Sequence, residues 1–337
     1  MSAEQLAGLS DDLVLGAVLL YLAAMIGFAL ELAFGRARTN TGATALTVTE
    51  PGVKESVAAG SSMAAGSSAA ARPSGGSGEG AEAGATAVVS PPEPPSWAPR
   101  AGTAGLVFGW VGLAANLGSV VTRGLAVGRW PWGNMYEFVV AICLAAVAAF
   151  LVTQLRSNVR FLGAFVMVTA ALGLGFAVIW LHVQAGPVVP ALNSYWIAIH
   201  VSAAVIASGL FTVAGVSGIL YLVRREGFSR LPTRTDLERV AHRAIVLAFP
   251  VWTFAVIAGA LWADKAWGRY WGWDPKEIWA FITWIVYAGY LHARATAGWK
   301  GRAATIVQLV AFACLLFNLV GVNIFLGGLH SYADVGG

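Results

Sequence analysis

Two kinds of residue are scarce in this chain, and each scarcity excludes a class of protein. Charged side chains make up only 11% of the 337 residues, whereas an average soluble domain has about 25%. The chain therefore lacks the polar surface of a water-soluble protein. Its two cysteines, Cys143 and Cys314, are far apart and lie within long apolar runs, so they form neither a CxxC redox pair nor a zinc site. Any thiol chemistry must come from another molecule.

The chain has several long apolar stretches instead. Hydrophobic residues account for 58% of it, and a helix that crosses the bilayer core needs about 20 largely apolar residues. Eight stretches approach that length: 13–34, 102–122, 134–155, 161–181, 196–223, 244–263, 276–293 and 305–326. The sequence therefore predicts an all-α, polytopic membrane helix bundle with about eight transmembrane helices.

Basic residues predict the orientation of such a bundle, because loops rich in Lys and Arg stay on the cytoplasmic side. Placing the N-terminus outside leaves sixteen basic residues in the inner segments and five in the outer ones. We therefore expect a multi-pass protein of the plasma membrane, with both termini and the loop at 262–279 on the outer face. The basic residues form no patch, so we expect no nucleic-acid partner.

The composition changes abruptly after the first span. Residues 36–100 are rich in Ala, Gly, Ser and Pro, a composition that cannot bury enough apolar area to fold. We predict a disordered cytoplasmic linker there, between a first transmembrane helix at 1–35 and a seven-helix domain at 101–337. The first helix has acidic residues ahead of it and no cleavage site, so we interpret it as a retained helix and not as a signal peptide.

Five of the fourteen tryptophans lie in the single loop 262–279. Interfacial anchoring accounts for one or two indoles at a membrane boundary, but not for five. Gly268 and Gly272 let the backbone approach a ligand, while Arg269 and Lys276 offer cations to an anionic edge. The loop is thus a predicted platform for a planar, hydrophobic, dianionic molecule such as haem. Its aromatic members would be Trp267, Trp271, Trp273 and Trp279.

Two further segments belong to the predicted site. The start of the third span carries Trp132, Asn134 and Glu137, and the last two are less easily explained as lipid-facing side chains. They are candidates for a second wall. Asp274 is followed by a proline and then by Glu277, which is a capping-box pattern. Asp274 therefore fixes where the loop ends and holds the preceding tryptophans in place.

The histidines are candidate metal ligands. His200 opens the fifth span and His330 follows the eighth, so both can stand level with the tryptophan loop and give bis-His coordination of a haem iron. Either one alone is more often a polar cap at a helix end. His292 lies inside the seventh span, where it either ligates iron or bonds a neighbouring helix. We interpret His182 and His242 as surface residues.

In these residues the chain resembles the haem-handling membrane proteins with a WWD motif, and specifically the CcsA/ResC type of cytochrome c biogenesis protein, named CcsB in some bacteria. The run from Trp262 to Trp284, the Tyr-Leu-His-Ala-Arg around His292 and the Gly-Leu-His-Ser-Tyr around His330 follow that family's order at similar spacing. The resemblance covers roughly residues 100–337, and the inserted linker is its chief departure.

The resemblance implies export of haem b and its attachment to apocytochrome c outside the membrane, the activity of a holocytochrome c synthase of the haem lyase type. His200 and His330 would be the axial ligands at the outer platform. His292 would be one ligand of haem within the membrane, with the second supplied by a separate ResB-type partner. The acceptor would be an apocytochrome c with a CxxCH motif, served by thiol-reducing proteins.

Two other functions stay open. A relative from the same superfamily would deliver haem to a chaperone without attaching it. A protein of a different class would transport some other aromatic or anionic solute and carry out no chemistry, although the sequence shows none of the internal repeats of many secondary transporters. A haem with bis-His absorption in the purified complex would distinguish a haem protein from such a transporter.

Overall fold

The computed structural model of the chain describes residues 1–35, 95–188, 192, 194–224 and 231–330. Throughout these ranges the backbone is helical or forms short connections, and it contains no strand. The all-α class predicted from composition is therefore confirmed. Nearly all of the predicted linker, 36–100, lies outside the described residues.

The helices lie close to the predicted apolar stretches. In chain order they are α1 (Ala3–Phe34), α2 (Trp97–Val127), α3 (Met135–Arg156), α4 (Gly163–Trp180), α5 (Tyr195–Val223), α6 (Arg234–Trp267), α7 (Pro275–Thr296), α8 (Gly301–Leu316) and α9 (Val322–Phe325). A 3-10 turn, Arg160–Leu162, leads directly into α4. A π turn, Phe317–Gly321, joins α8 to α9, so the two form one continuous rod.

Seven of the described helical segments are long and apolar enough to cross a membrane. They are α1, α2, α3, the segment Arg160–Trp180, α5, α6 and the rod Gly301–Phe325. The chain is therefore a multi-pass membrane protein, as predicted. The stretch predicted at 276–293 does fold as α7, a helix of 22 residues. It is not among the seven, because its Trp, Tyr, His and charged side chains lower its mean hydropathy.

Side-chain contacts show that α7 nonetheless follows α6 through the depth of the bundle. The predicted loop at 262–279 is only partly a loop, because α6 continues to Trp267 and α7 begins at Pro275, so residues 268–274 join the two helices at one end. We call the whole segment 262–279 the Trp loop. Midway along, the indole Nε1 of Trp284 donates to the hydroxyl of Thr253 at 2.9 Å. At the far end Arg294 forms an ion pair with Glu238, near the start of α6. α7 therefore runs beside the apolar α6 from the Trp loop to the far end of the bundle, which is the position that the predicted eighth crossing requires.

Glycine brings α1 against α2. Buried glycines recur along one face of α2, at Gly102, Gly105, Gly109 and Gly112. A Cβ atom on Gly27 of α1 would lie only 2.8 Å from the Cα atom of Gly105, so the two backbones are in contact. Lipid tails are as apolar as leucine, so helices in a bilayer associate through such close packing and not through the hydrophobic effect.

The core that positions the candidate site lies where α3, α5 and α6 meet at the Trp loop. This smallest of the hydrophobic clusters is centred on Trp262, which packs with Ile197 and Val201 of α5 and Ala141 of α3. The other two clusters are larger, one formed mainly by α1, α3 and α4 and the other by α5 to α8. At the end of the bundle that carries the Trp loop, the buried Trp262 indole and its apolar neighbours therefore form the floor of the site.

Candidate functional site

A cavity opens between α3, α5, α6 and the α8–α9 rod at the Trp-loop end of the bundle. Its volume is about 360 Å³, within the range of roughly 300–1,000 Å³ found for small-molecule sites. Most of its wall is apolar, and the wall extends along α5 as far as Val216. The aromatic and ionisable side chains on its wall include His200, Trp262, Trp267, Trp271, Lys276 and His330.

His200 reaches the cavity from the second turn of α5. Its Nδ1 atom lies 2.7 Å from the carbonyl oxygen of Ala255 in α6. The ring fits there because α6 has a glycine opposite it: a Cβ atom on Gly259 would lie 2.7 Å from Cε1 of the imidazole. A carbonyl oxygen only accepts, so Nδ1 carries the proton and the lone pair of the ring is on Nε2. This is a tautomer that can ligate a metal.

His330 follows α9 and is held by Asp274. Its Nδ1 atom lies 2.8 Å from Oδ2 of Asp274, and Oδ1 of the same carboxylate accepts the backbone N–H of Leu329 at 2.7 Å. Gly328 permits this approach, because a Cβ atom there would lie 2.6 Å from Oδ1. Since Nδ1 donates to a carboxylate, the lone pair of the His330 ring is also on Nε2.

Asp274 also starts α7. It accepts the backbone N–H of Lys276, and the side chain of Glu277 accepts the N–H of Asp274, so the predicted capping box is present. Burial alone would raise the pKa of Asp274, but hydrogen bonds from His330 and from the Leu329 amide outweigh burial and hold the pKa below its ordinary value. Asp274 is therefore a carboxylate at neutral pH, and its bonds weaken only as the pH falls through that lowered pKa.

Aromatic rings lie between and around the two histidines. The indole of Trp262 is parallel to the His200 ring at a centroid distance of 6.2 Å and edge-on to the His330 ring at 5.7 Å. The Trp267 ring lies 5.0 Å from that of His330. Of the predicted site, the structure therefore brings five residues together around one cavity: His200, His330, Trp267, Trp271 and Lys276.

Three residues of the predicted platform lie outside the cavity wall. Trp279 packs against Phe317, with ring centroids 4.3 Å apart. Arg269 is exposed, and its guanidinium lies against the backbone of Gly272. A Cβ atom on Gly272 would be 2.2 Å from Cζ of Arg269. Trp273 is 64% exposed. The Trp loop thus turns part of its aromatic and basic surface away from the space that its other residues line.

The start of α3 does line the cavity, through Met135 and Phe138, but the three predicted residues Trp132, Asn134 and Glu137 lie outside its wall. Glu137 is buried, and its carboxylate accepts hydrogen bonds from Arg123 at 3.2 Å and from Arg129 at 3.0 Å. A buried carboxylate requires such partners, and here they bind α2 and its following loop to α3. Asn134 caps α3 by accepting the N–H of Glu137 at 2.9 Å. Trp132 packs at the edge of the hydrophobic cluster beneath the Trp loop.

His292 lies elsewhere, on the outward face of α7. Its side chain is exposed, as are those of Phe281 and Ile285 on the same face. The other described helices leave this face uncovered, and His292 does not reach the cavity. His182 and His242 also lie outside the cavity wall.

Several contributors to the site were not identified from sequence. Trp262 was one of five clustered indoles, with nothing to mark it as the ring that contacts both histidines. Gly259 did give a signal, because an isolated glycine within a helix costs about 1 kcal/mol relative to alanine and usually has a packing reason. The bond from Asp274 to His330 joins positions far apart in the chain. No local pattern reports a contact of that kind.

Fold and site together define a multi-pass membrane protein with an aromatic, two-histidine ligand cavity at one end. A family profile described as "Cytochrome C assembly protein" matches residues 132–330, more than half of the chain and all of the site. The chain belongs to this family.

Named relatives agree with that assignment. The cytochrome c biogenesis protein CcsA of Synechococcus elongatus is 34% identical over 290 residues, which cover 69% of this chain and 87% of the relative. CcsA of Synechocystis sp. is 32% identical over 305 residues, 71% of this chain and 90% of the relative. CcsA of Chlamydomonas reinhardtii is 36% identical over 216 residues, 61% of each chain.

Proposed function

We propose that this chain matures c-type cytochromes by holding haem b in the cavity and presenting it for attachment to an apocytochrome c with a CxxCH motif. It would act as a holocytochrome c synthase of the haem lyase type, together with a ResB-type partner. The observation that carries the proposal is the placement of His200 and His330, which lie on the wall of one aromatic cavity. Membership of the cytochrome c assembly family supports it.

The donor set fits a haem iron. Both imidazoles carry the lone pair on Nε2, because each Nδ1 is bound to an oxygen acceptor. Metal-bound histidines typically donate their other nitrogen to a carbonyl or a carboxylate, as these two do. His200 and His330 would therefore hold the iron, and Trp267 and Trp271 would flank the porphyrin. When bound, haem supplies two vinyl groups, and each cysteine thiol adds its sulfur to one vinyl carbon and its proton to the other.

The part played by the chain is binding and orientation. The described residues of the cavity wall offer no cysteine nucleophile other than Cys143, which is buried within α3. The wall residues fix the porphyrin plane, exclude water and decide which vinyl group meets which thiol, which is catalysis by positioning. The reactivity belongs to the haem and to the acceptor thiols.

Two further points concern the side of the membrane that the Trp loop faces and the export of haem. We propose that the Trp loop lies on the outer face of the plasma membrane, and the distribution of basic residues supports this orientation. His292 is exposed on α7, and an ionisable side chain exposed on a membrane helix is expensive unless a partner covers it. We propose that a ResB-type chain packs there and that His292 ligates haem in the membrane on its way out.

Reconstitution tests this function. The chain, a ResB-type partner and an apocytochrome c reporter are co-expressed in cells without a maturation system, and haem that stays with the reporter on a denaturing gel is measured. We expect attached haem only when the chain is present. A purified complex without haem would favour a transporter of another solute. Haem that is bound but never attached to the reporter would favour delivery to a chaperone.

Replacing Asp274 by asparagine tests whether its carboxylate supports His330 as a metal ligand. Asparagine is also a good N-cap, so α7 should begin as before, but the charged partner of the imidazole is lost. We expect the complex to bind haem about 10–100-fold more weakly, the usual cost of changing the outer partner of a metal-bound histidine. Haem titration of the purified complex measures this. An affinity equal to that of the wild type would show that Asp274 acts only as a helix cap.

A further inference from the structure

The ammonium group of Lys276 is bonded to carbonyl oxygens and forms no salt bridge with a carboxylate in the described part of the chain. Lys276 lies in the first turn of α7, and its side chain reaches the cavity wall. Its ammonium group donates to the carbonyl oxygen of Asn318 at 2.7 Å. In the described ranges, no Asp or Glu oxygen lies within salt-bridge distance of its Nζ atom. A cation that faces an apolar cavity, bonded only to carbonyl groups and attracted at longer range by the Asp274 carboxylate, favours an anionic ligand.

The carbonyl groups that hold Lys276 come from the π turn Phe317–Gly321. A π turn shifts the hydrogen-bond ladder of a helix, and such turns are frequent at functional sites. The carbonyl oxygens of Asn318 and Leu319 lie 2.7 Å and 3.4 Å from Nζ of Lys276. The distortion of the α8–α9 rod thus fixes the ammonium group at one place on the cavity wall.

The side chain of Asn318 gives a second, independent indication. Asn318 is 4% exposed and lines the same cavity, yet its Oδ1 has no hydrogen-bond partner in the described part of the chain. Leaving a buried amide unsatisfied costs free energy. The amide can turn its NH2 group toward a ligand, because its two orientations have the same shape. A carboxylate near Asn318 and Lys276 would satisfy both groups.

We propose that Lys276 and Asn318 form a carboxylate-binding subsite in the cavity, separate from the two histidines. The inference rests on the proposed function, in which the carboxylate is a propionate group of the haem whose iron the histidines hold. His200, His330 and Lys276 all line the same cavity, so one ligand in that cavity can contact both histidines and the subsite. Of the two cations predicted to meet the anionic edge, Lys276 is the one that binds it, while Arg269 stays outside the cavity wall.

Two probes that differ only in their carboxyl groups test the subsite. The purified complex is titrated with iron protoporphyrin IX and with its dimethyl ester, which keeps the iron and loses both negative charges. The wild type should bind the free acid roughly 10–100-fold more tightly than the ester, the value of one or two charge-assisted hydrogen bonds. Lys276→Met should bind the free acid as weakly as the ester, and Lys276→Arg should restore part of the preference.

Matched variants complete the experiment. Asn318→Leu should reduce the same preference by a smaller factor, and it tests the subsite if Lys276→Met fails to insert. Lys265→Met removes an exposed cation that is paired with Asp264 on the same loop, and it should leave the preference unchanged. Equal binding of acid and ester by the wild type, with bis-His absorption intact, would overturn the subsite alone. If neither probe gives bis-His absorption, the proposed function fails instead.

Discussion

Replacement of His200 or of His330 by alanine should abolish holocytochrome c formation, although the protein still inserts in the membrane. Each variant removes one of the two imidazoles on the cavity wall, so an iron held there loses one of its two protein ligands. We expect the loss of haem affinity to exceed the roughly 10–100-fold caused by changes behind a metal ligand. Covalent haem on the reporter and the absorption spectrum of the purified complex are the measurements.

A control variant and a rescue experiment distinguish the loss of a histidine ligand from general misfolding. His182→Ala removes an exposed imidazole outside the cavity wall and should leave haem attachment at the wild-type level. Added imidazole should restore part of the bis-His absorption in His200→Ala, because the substitution leaves a space for that molecule beside the cavity. If both single variants form cytochrome normally, these two residues do not belong to the site.

Gly259→Ala should also have a large effect, although it adds only one methyl group to a residue of the cavity wall that has no side chain of its own to bind a ligand. The new Cβ atom would lie 2.7 Å from Cε1 and 2.8 Å from Nδ1 of His200, so the ring must move away from α6. It then loses its bond to the carbonyl oxygen of Ala255, which fixes the tautomer. We expect haem affinity to fall by about 10–100-fold, measured by titration of the purified complex.

A second glycine provides the control. Gly16 lies inside α1, which lines no part of the cavity, and a Cβ atom there would meet no atom within 4 Å. Alanine has a higher helix propensity than glycine, so neither substitution should prevent its helix from forming. Gly16→Ala should keep the wild-type haem affinity. If the two alanine variants bind haem equally well, Gly259 does not position the His200 ring.

Helix positions were predictable because apolar length is read directly from sequence. The bilayer leaves few alternatives to a helix for a run of about 20 apolar residues, and the predicted stretches all fall within or beside observed helices. The capping box at Asp274 was predictable for a similar reason, since all its groups lie within four residues. α7 was predicted as well, but its amphipathic sequence does not by itself show that it follows α6 through the bundle.

The membership of the cavity was only partly predictable. The clustering of aromatic and basic residues in the Trp loop predicts that they act together, yet left-handed backbone at Gly268 and Trp273 turns the chain and directs these side chains differently. Trp271 and Lys276 line the cavity, while Arg269 and Trp279 do not. A carboxylate at the start of a membrane helix must be stabilised by partners, and from sequence a ligand site is one explanation for Glu137. In the structure Glu137 is stabilised by ion pairs with Arg123 and Arg129.

The sequence by itself determined the all-α class, the helix positions and the set of aromatic and imidazole groups that a ligand site needs. These are consequences of composition and short spacing. Only the tertiary structure decided which groups meet: that Asp274 binds His330, that the Ala255 carbonyl binds His200, and that a π turn holds Lys276. Such contacts join residues more than forty positions apart, and their geometry depends on how closely helices approach, which in a bilayer is set by packing of particular small residues.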